Sequence, residues 1–151
     1  MNNPQAFYSQ QSNMTNPGTF VEIYADLPHD VASLCRVVQG LVIHFQGADM
    51  FNHTIPEERM KEIDTRNVAK ILARIHELDS RTLTAERPPE KRFVGCCRDF
   101  ATLFCSLARY CGIPTRTRIG FSAYFNPSFH HDHEIVECWD VEQQRWRLVD
   151  P

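Results

Sequence analysis

The chain has 151 residues, 42% of them hydrophobic and 23% charged, with a net charge of −3; that is enough for one domain with its own core. So weak a negative charge gives no basis for binding nucleic acid or an anionic membrane. No apolar run approaches the roughly 20 residues that a bilayer span requires.

Residues 1–19 are polar and lack the basic-then-apolar plan of a signal peptide, so they read as a mobile N-terminal tail ahead of a single domain over 20–151. With no export signal, the six cysteines read as reduced thiols and the expected location is cytoplasmic. Phe20 to Leu27 suggests a short extended segment. Pro28 opens a helix with Asp30 in its first turn, and Val31, Leu34, Val37, Val38, Leu41 and Val42 follow helical spacing. Residues 46–56, with Gly47, Asn52 and Pro56, read as loop, and Glu57 to Ile63 as a turn or two of helix. Asp64 or Thr65 caps the next helix, whose stripe is Val68, Ile71, Leu72, Ile75 and Leu78. Residues 80–94, with Pro88-Pro89 and several charges, read as a solvated connector.

The firmest element is a helix from about Cys97 to Cys111. Phe100, Ala101, Leu103, Phe104, Cys105, Leu107, Ala108 and Cys111 share one face; Arg98, Asp99, Thr102, Ser106 and Arg109 share the other. Gly112 and Pro114 end it. Three strands are predicted after it: Thr115–Phe125, His133–Asp140 and, beyond a turn at 142–144, Arg145–Asp150. The last strand reads as still in progress at Pro151, so the natural chain is expected to continue. The class is α+β, helices first and then an antiparallel sheet packed on the Cys97 helix. Cys35, Cys105, Cys111 and Cys138 sit among apolar residues as small core fillers.

Cys97 stands at a helix start, where about half a positive charge favours thiolate over thiol, and thiolate is the reactive form. Gly95 before it lets the chain turn tightly. A buried core cysteine is the plainer reading of Cys97, and Cys96 is the competing nucleophile, at the cap or just before it and outside the helical register. Among the histidines of 130–133, His133 opens a strand from which it could face the Cys97 helix; His130 and His131 read as solvated. His131 and His133 with Cys96 and Cys97 also offer metal ligands, but no CxxC-type spacing supports a metal site. Asp150 lies among apolar neighbours and needs a partner, which a histidine ring across a hairpin supplies; a turn aspartate is the plainer alternative. Glu137 is a further polar candidate on the His133 strand.

Four blocks carry a resemblance: Gly95-Cys96-Cys97-Arg98-Asp99-Phe100-Ala101-x-Leu103, Gly112-Ile113-Pro114-x-Arg116, His133-x-x-x-Glu137, and Trp146-x-x-x-Asp150-Pro151. In this order and spacing, over residues 93–151, they resemble the core of the transglutaminase-like superfamily, a papain-like cysteine-enzyme fold. The resemblance implies Cys97 as nucleophile, His133 as general base and acid, Asp150 as the group orienting His133, and a structural Arg116. Where the family often has an aromatic two residues after the histidine, this chain has Ile135. Arg98 follows the nucleophile where animal cross-linking enzymes have tryptophan, which is closer to microbial members and gives no ground for calcium or any other cofactor. The implied chemistry is acyl transfer or hydrolysis at an amide of a peptide, protein or other amide-bearing substrate, with hydrolysis favoured. Transfer to an amine, or a binding module without activity, are the alternatives. Backbone N–H groups at the helix start would hold the oxyanion, and Gln39 is a candidate for one further hydrogen bond.

Overall fold

The computed structural model describes residues 3–151. Its helices are α1 (Pro4–Tyr8), α2 (Val31–Leu41), α3 (Val68–Leu78) and α4 (Cys97–Tyr110). Its strands are β1 (Val42–His44), β2 (Phe93–Gly95), β3 (Thr115–Ser122), β4 (His131–Asp140) and β5 (Arg145–Val149). Among the described residues, no helix is long and apolar enough to cross a membrane.

Helix α4 is the axis around which the other elements pack. Its apolar face is buried as the spacing predicts, with Ala101, Leu103, Phe104, Cys105, Leu107 and Ala108 sealed from solvent. The opposite face is buried too, at Asp99, Thr102 and Ser106, where amphipathic spacing predicts a solvated side. A helix enclosed all round must satisfy its polar side chains internally. Ser106 Oγ is 2.8 Å from the hydroxyl of buried Tyr24. Tyr24 ends a 3₁₀ helix over Gly18–Tyr24, in place of the extended segment predicted there.

Helices α2 and α3 bring their apolar stripes to the same core through Leu34, Val37, Val38, Leu41, Val68, Ile71, Leu72 and Ile75. Burying each such aliphatic side chain is worth roughly 1.5–3 kcal/mol before entropy is charged against it. Asp30 caps α2, accepting from Ser33 N–H at 2.8 Å. The cap of α3 is Asn67, not Asp64 or Thr65; its side chain accepts from Ala69 N–H at 2.9 Å. Asp64 ends a 3₁₀ helix over Glu57–Asp64 instead.

Two three-residue strands carry no periodic signal and were not expected. Strand β1 follows α2 directly and pairs in parallel with β2, Val42 with Phe93, Ile43 with Val94 and His44 with Gly95. The connector over 80–94 is correspondingly less solvated than its composition suggests: Leu83, Arg87, Phe93 and Val94 are buried. Arg87 is tolerated inside because its guanidinium donates to main-chain carbonyls, among them Ala85 O at 2.9 Å and Arg81 O at 2.8 Å.

Strands β3, β4 and β5 form an antiparallel sheet in that order, with Thr115 opposite Cys138 and Val136 opposite Val149. Val136 and Cys138 join the core around α4. Gly112, at φ 78°, turns the chain from α4 into β3, a left-handed conformation that suits glycine. On the other side of the sheet, the Arg116 guanidinium lies 4.3 Å above the Trp146 ring.

The predicted mobile tail is replaced by a packed segment. Thr15 is buried, Val68 N–H donates to Met14 O at 2.9 Å, and Gln11 Nε2 donates to Ser106 O at 2.9 Å. Tyr8 meets Trp146 edge-on at 5.7 Å. Residues 1 and 2 of that predicted tail lie outside the described residues.

Candidate active site

The first turn of α4 is built around Gly95. A Cβ at that position would lie 2.9 Å from Asp99 Cβ and 3.1 Å from Val42 Cγ1, so only glycine lets β1, β2 and α4 close together. Cys96 is the N-cap, and its N–H donates to Asp99 Oδ2 at 2.9 Å. Arg98 Nη2 pairs with Asp99 Oδ1 at 3.1 Å and donates to Ile63 O at 2.6 Å. Cys97 therefore enters the helix at its first position, fixed from both sides. Its N–H is among those that a helix start leaves without an intrahelical acceptor.

His133 lies near the start of β4, opposite Gly120. Its Nε2 is 2.9 Å from Asp150 Oδ2. Tyr124 donates its hydroxyl to the same oxygen at 2.7 Å. The other face of the imidazole has an aromatic wall: Phe125 meets it edge-on at 5.0 Å and Tyr124 at 5.9 Å. This wall comes from the β3–β4 connection rather than from position 135. His131 turns instead toward Phe129, 4.8 Å away, and Phe125.

The electrostatics of the cysteines are strongly divided. A hydrogen bond from the neighbouring Cys96 thiol favours the Cys97 thiolate; burial opposes it, while the Glu134 N–H and the His133 ring add to it. The result lowers Cys97 to about 5. Cys96 moves the opposite way, raised by its hydrogen bond to Cys97 and by burial. Cys105, in the middle of the same helix, is pushed up to about 12 by burial. For His133, burial works against the imidazolium, but the hydrogen bonds and negative charges of Asp150 and Cys97 outweigh it, and its pKa is raised. Cys97 is thus poised as thiolate and His133 as imidazolium over a common pH range.

The remaining sequence candidates lie elsewhere. Gln39 is exposed on α2, on the opposite side from the stripe that enters the core. Glu137 takes Arg116 at 2.7 Å and Arg118 at 3.2 Å, holding the outer face of the sheet. All six cysteines are free. Among the described residues, no group of three or more His, Cys, Asp or Glu side chains is placed to hold a metal ion. Two side chains beside His133 lie where the sequence predicts strand: β3 ends at Ser122 rather than Phe125, which leaves Tyr124 and Phe125 in the connection to β4.

Comparison with known proteins bears on the family and the fold. Residues 79–151 match the family model of the transglutaminase-like superfamily. None of the curated proteins compared matches the chain. Among solved structures, a "Putative Cysteine Protease" from Cytophaga hutchinsonii superimposes with a TM-score of 0.55 at 14% identity, covering 99% of this chain. The chain spans 42% of that protein's length. At this identity the likeness is one of fold, and it extends the same architecture over the helical lead-in before residue 79. Through the segment from Asp79 to Pro151, the chain is similar to the transglutaminase-like superfamily.

Proposed function

We propose that the protein is a cysteine-dependent amide hydrolase in which Cys97, His133 and Asp150 act as one unit. The observation that carries the reading is the His133 Nε2–Asp150 Oδ2 hydrogen bond at 2.9 Å, made by a ring whose charged form Cys97 also favours. With Nε2 on Asp150, Nδ1 is the nitrogen left for Cys97.

The Cys97 thiolate attacks the amide carbonyl, and the carbonyl oxygen takes the negative charge. The Cys97 N–H, at the positive end of α4, donates to it. His133, as imidazolium, protonates the leaving nitrogen; the C–N bond breaks and a thioester remains on Cys97. His133, now neutral, takes a proton from water as it attacks the thioester, which releases a carboxylic acid and restores the thiolate–imidazolium pair. Asp150 keeps the ring oriented through both halves. The open surroundings favour water as acceptor: Tyr124, Phe125 and Phe129, around the histidines, are all exposed.

Thiol reactivity tests the reading. Iodoacetamide should label Cys97 at pH 6 at least about a hundredfold faster than Cys105, following thiolate fraction. Equal labelling at pH 6 would leave a binding module on the same fold. Incubating the protein with a peptide library and a labelled amine then separates the acceptors. A carboxylate product without amine incorporation supports hydrolysis, and amine incorporation at Cys97-dependent sites overturns it in favour of transfer.

A further inference from the structure

His44 ends β1 in register with Gly95, and Phe45 N–H donates to Gly95 O at 2.9 Å. This fixes the strand end one residue before the N-cap of α4. The His44 ring is stacked on Phe45 at 5.1 Å, with 27° between planes, and tilted over Phe100 at 6.4 Å. Phe100 is three residues after Cys97, one turn further along α4, so these contacts bring the imidazole to the mouth of the same helix start. Its Nδ1 accepts from Gln46 N–H at 3.2 Å. A ring nitrogen that accepts carries no proton, so the hydrogen of the neutral ring is on Nε2.

We propose that His44 Nε2–H is a second donor to the oxyanion formed on the Cys97-bound carbonyl, opposite the Cys97 N–H. The inference rests on the reading of Cys97 as nucleophile. Two aromatic rings and the Gln46 N–H lock the imidazole, so the donor needs no reorganisation as charge develops. The charged and titratable groups around it are Cys97, Asp99 and His133. Burial, first, and the His133 charge keep the ring neutral against the pull of Cys97 and Asp99. A neutral imidazole is a weak acid, suited to donating a hydrogen bond without surrendering its proton.

Two reagents separate this role from any effect on the thiolate. Iodoacetamide alkylation has no tetrahedral intermediate, whereas acylation by p-nitrophenyl acetate has one. In His44→Phe, which keeps a stacking ring without a donor, acylation of Cys97 should fall about a hundredfold while alkylation stays within about twofold of wild type. His44→Gln, whose amide nitrogen reaches about where Nε2 lies, should acylate at least about tenfold faster than His44→Phe. Unchanged acylation in His44→Phe, equal acylation in the two variants, or parallel loss of alkylation and acylation in both would overturn the assignment. A wild-type Cys97 that resists both reagents overturns the enzyme reading itself, and is thereby distinct from failure at His44 alone.

Discussion

Asp150 Oδ2 receives two donors, the His133 ring at 2.9 Å and the Tyr124 hydroxyl at 2.7 Å. A carboxylate so held both aims the imidazole and favours its charged form. The proposed reaction needs thiolate and imidazolium together. The thiolate is present above about pH 5 and lost as pH falls through that value. The imidazolium is present below the raised His133 pKa and lost as pH rises through it. Acylation should therefore follow a bell between these limits. In Asp150→Asn the hydrogen bond to a charged acceptor and the charge itself are gone. The alkaline limb should then move to lower pH, and the maximum should fall by at least about tenfold. A pH profile of acylation reads both, and an unmoved alkaline limb would mean that Asp150 only holds the loop. The members of the proposed triad were legible one at a time because each sits in a spaced block. Tyr124, Phe125 and His44 were not, because the alternation of Thr115–Phe125 hides that the strand stops at Ser122, and a three-residue strand gives no period against which one residue stands out.

At the scale of elements, α4 was the most legible feature, since its stripe runs four turns and Gly112 with Pro114 stops it. The burial of its second face was not legible. Ser106, Thr102 and Asp99 are polar, and only the neighbours that cover them, such as Tyr24, explain why they are inside. The approach of β1 and β2 to the helix start was equally silent, yet it sets where Cys97 stands. Gly95 is the contact point, and Gly95→Ala tests it. The added methyl would meet Asp99 Cβ at 2.9 Å and Val42 Cγ1 at 3.1 Å, and neither is the tip of a long flexible chain. Overpacking of this kind costs about 1–3 kcal/mol. The urea midpoint should fall accordingly, and Cys97 alkylation at pH 6 should slow as the Cys96–Asp99 cap is pushed apart. A variant with wild-type midpoint and reactivity would show that the first turn shifts freely to make room.

Across the whole molecule, the site spans a seam. Cys97 and the proposed donor His44 come from the helical half, His133 from β4 of the sheet, and Tyr124 and Asp150 from the segments that follow β3 and β5. The N-terminal segment crosses this seam at a distance from the site. Gln11 Nε2 bonds Ser106 O and Arg109 Nη1 bonds Gln10 O at 3.1 Å, both on α4. Asn67 Nδ2 bonds Asn13 O at 2.6 Å and Val68 N–H bonds Met14 O, both at the start of α3. Tyr8 packs on Trp146 of β5 and lies 5.3 Å beneath the Arg116 guanidinium of β3. Composition misjudged the segment because its binding groups are largely main-chain carbonyls, which every sequence has. Deleting residues 1–14 should cost about 2–6 kcal/mol, from four hydrogen bonds at about 0.5–1.5 each, with partial exposure of Trp146 adding to it. The loss should appear as a lower urea midpoint with Cys97 alkylation retained in the folded protein, because none of these contacts touches Cys97, His133 or Asp150. A midpoint equal to that of the full chain would show that the segment rests on the domain without holding it together. Loss of Cys97 reactivity in a folded deletion would show instead that the seam itself depends on it.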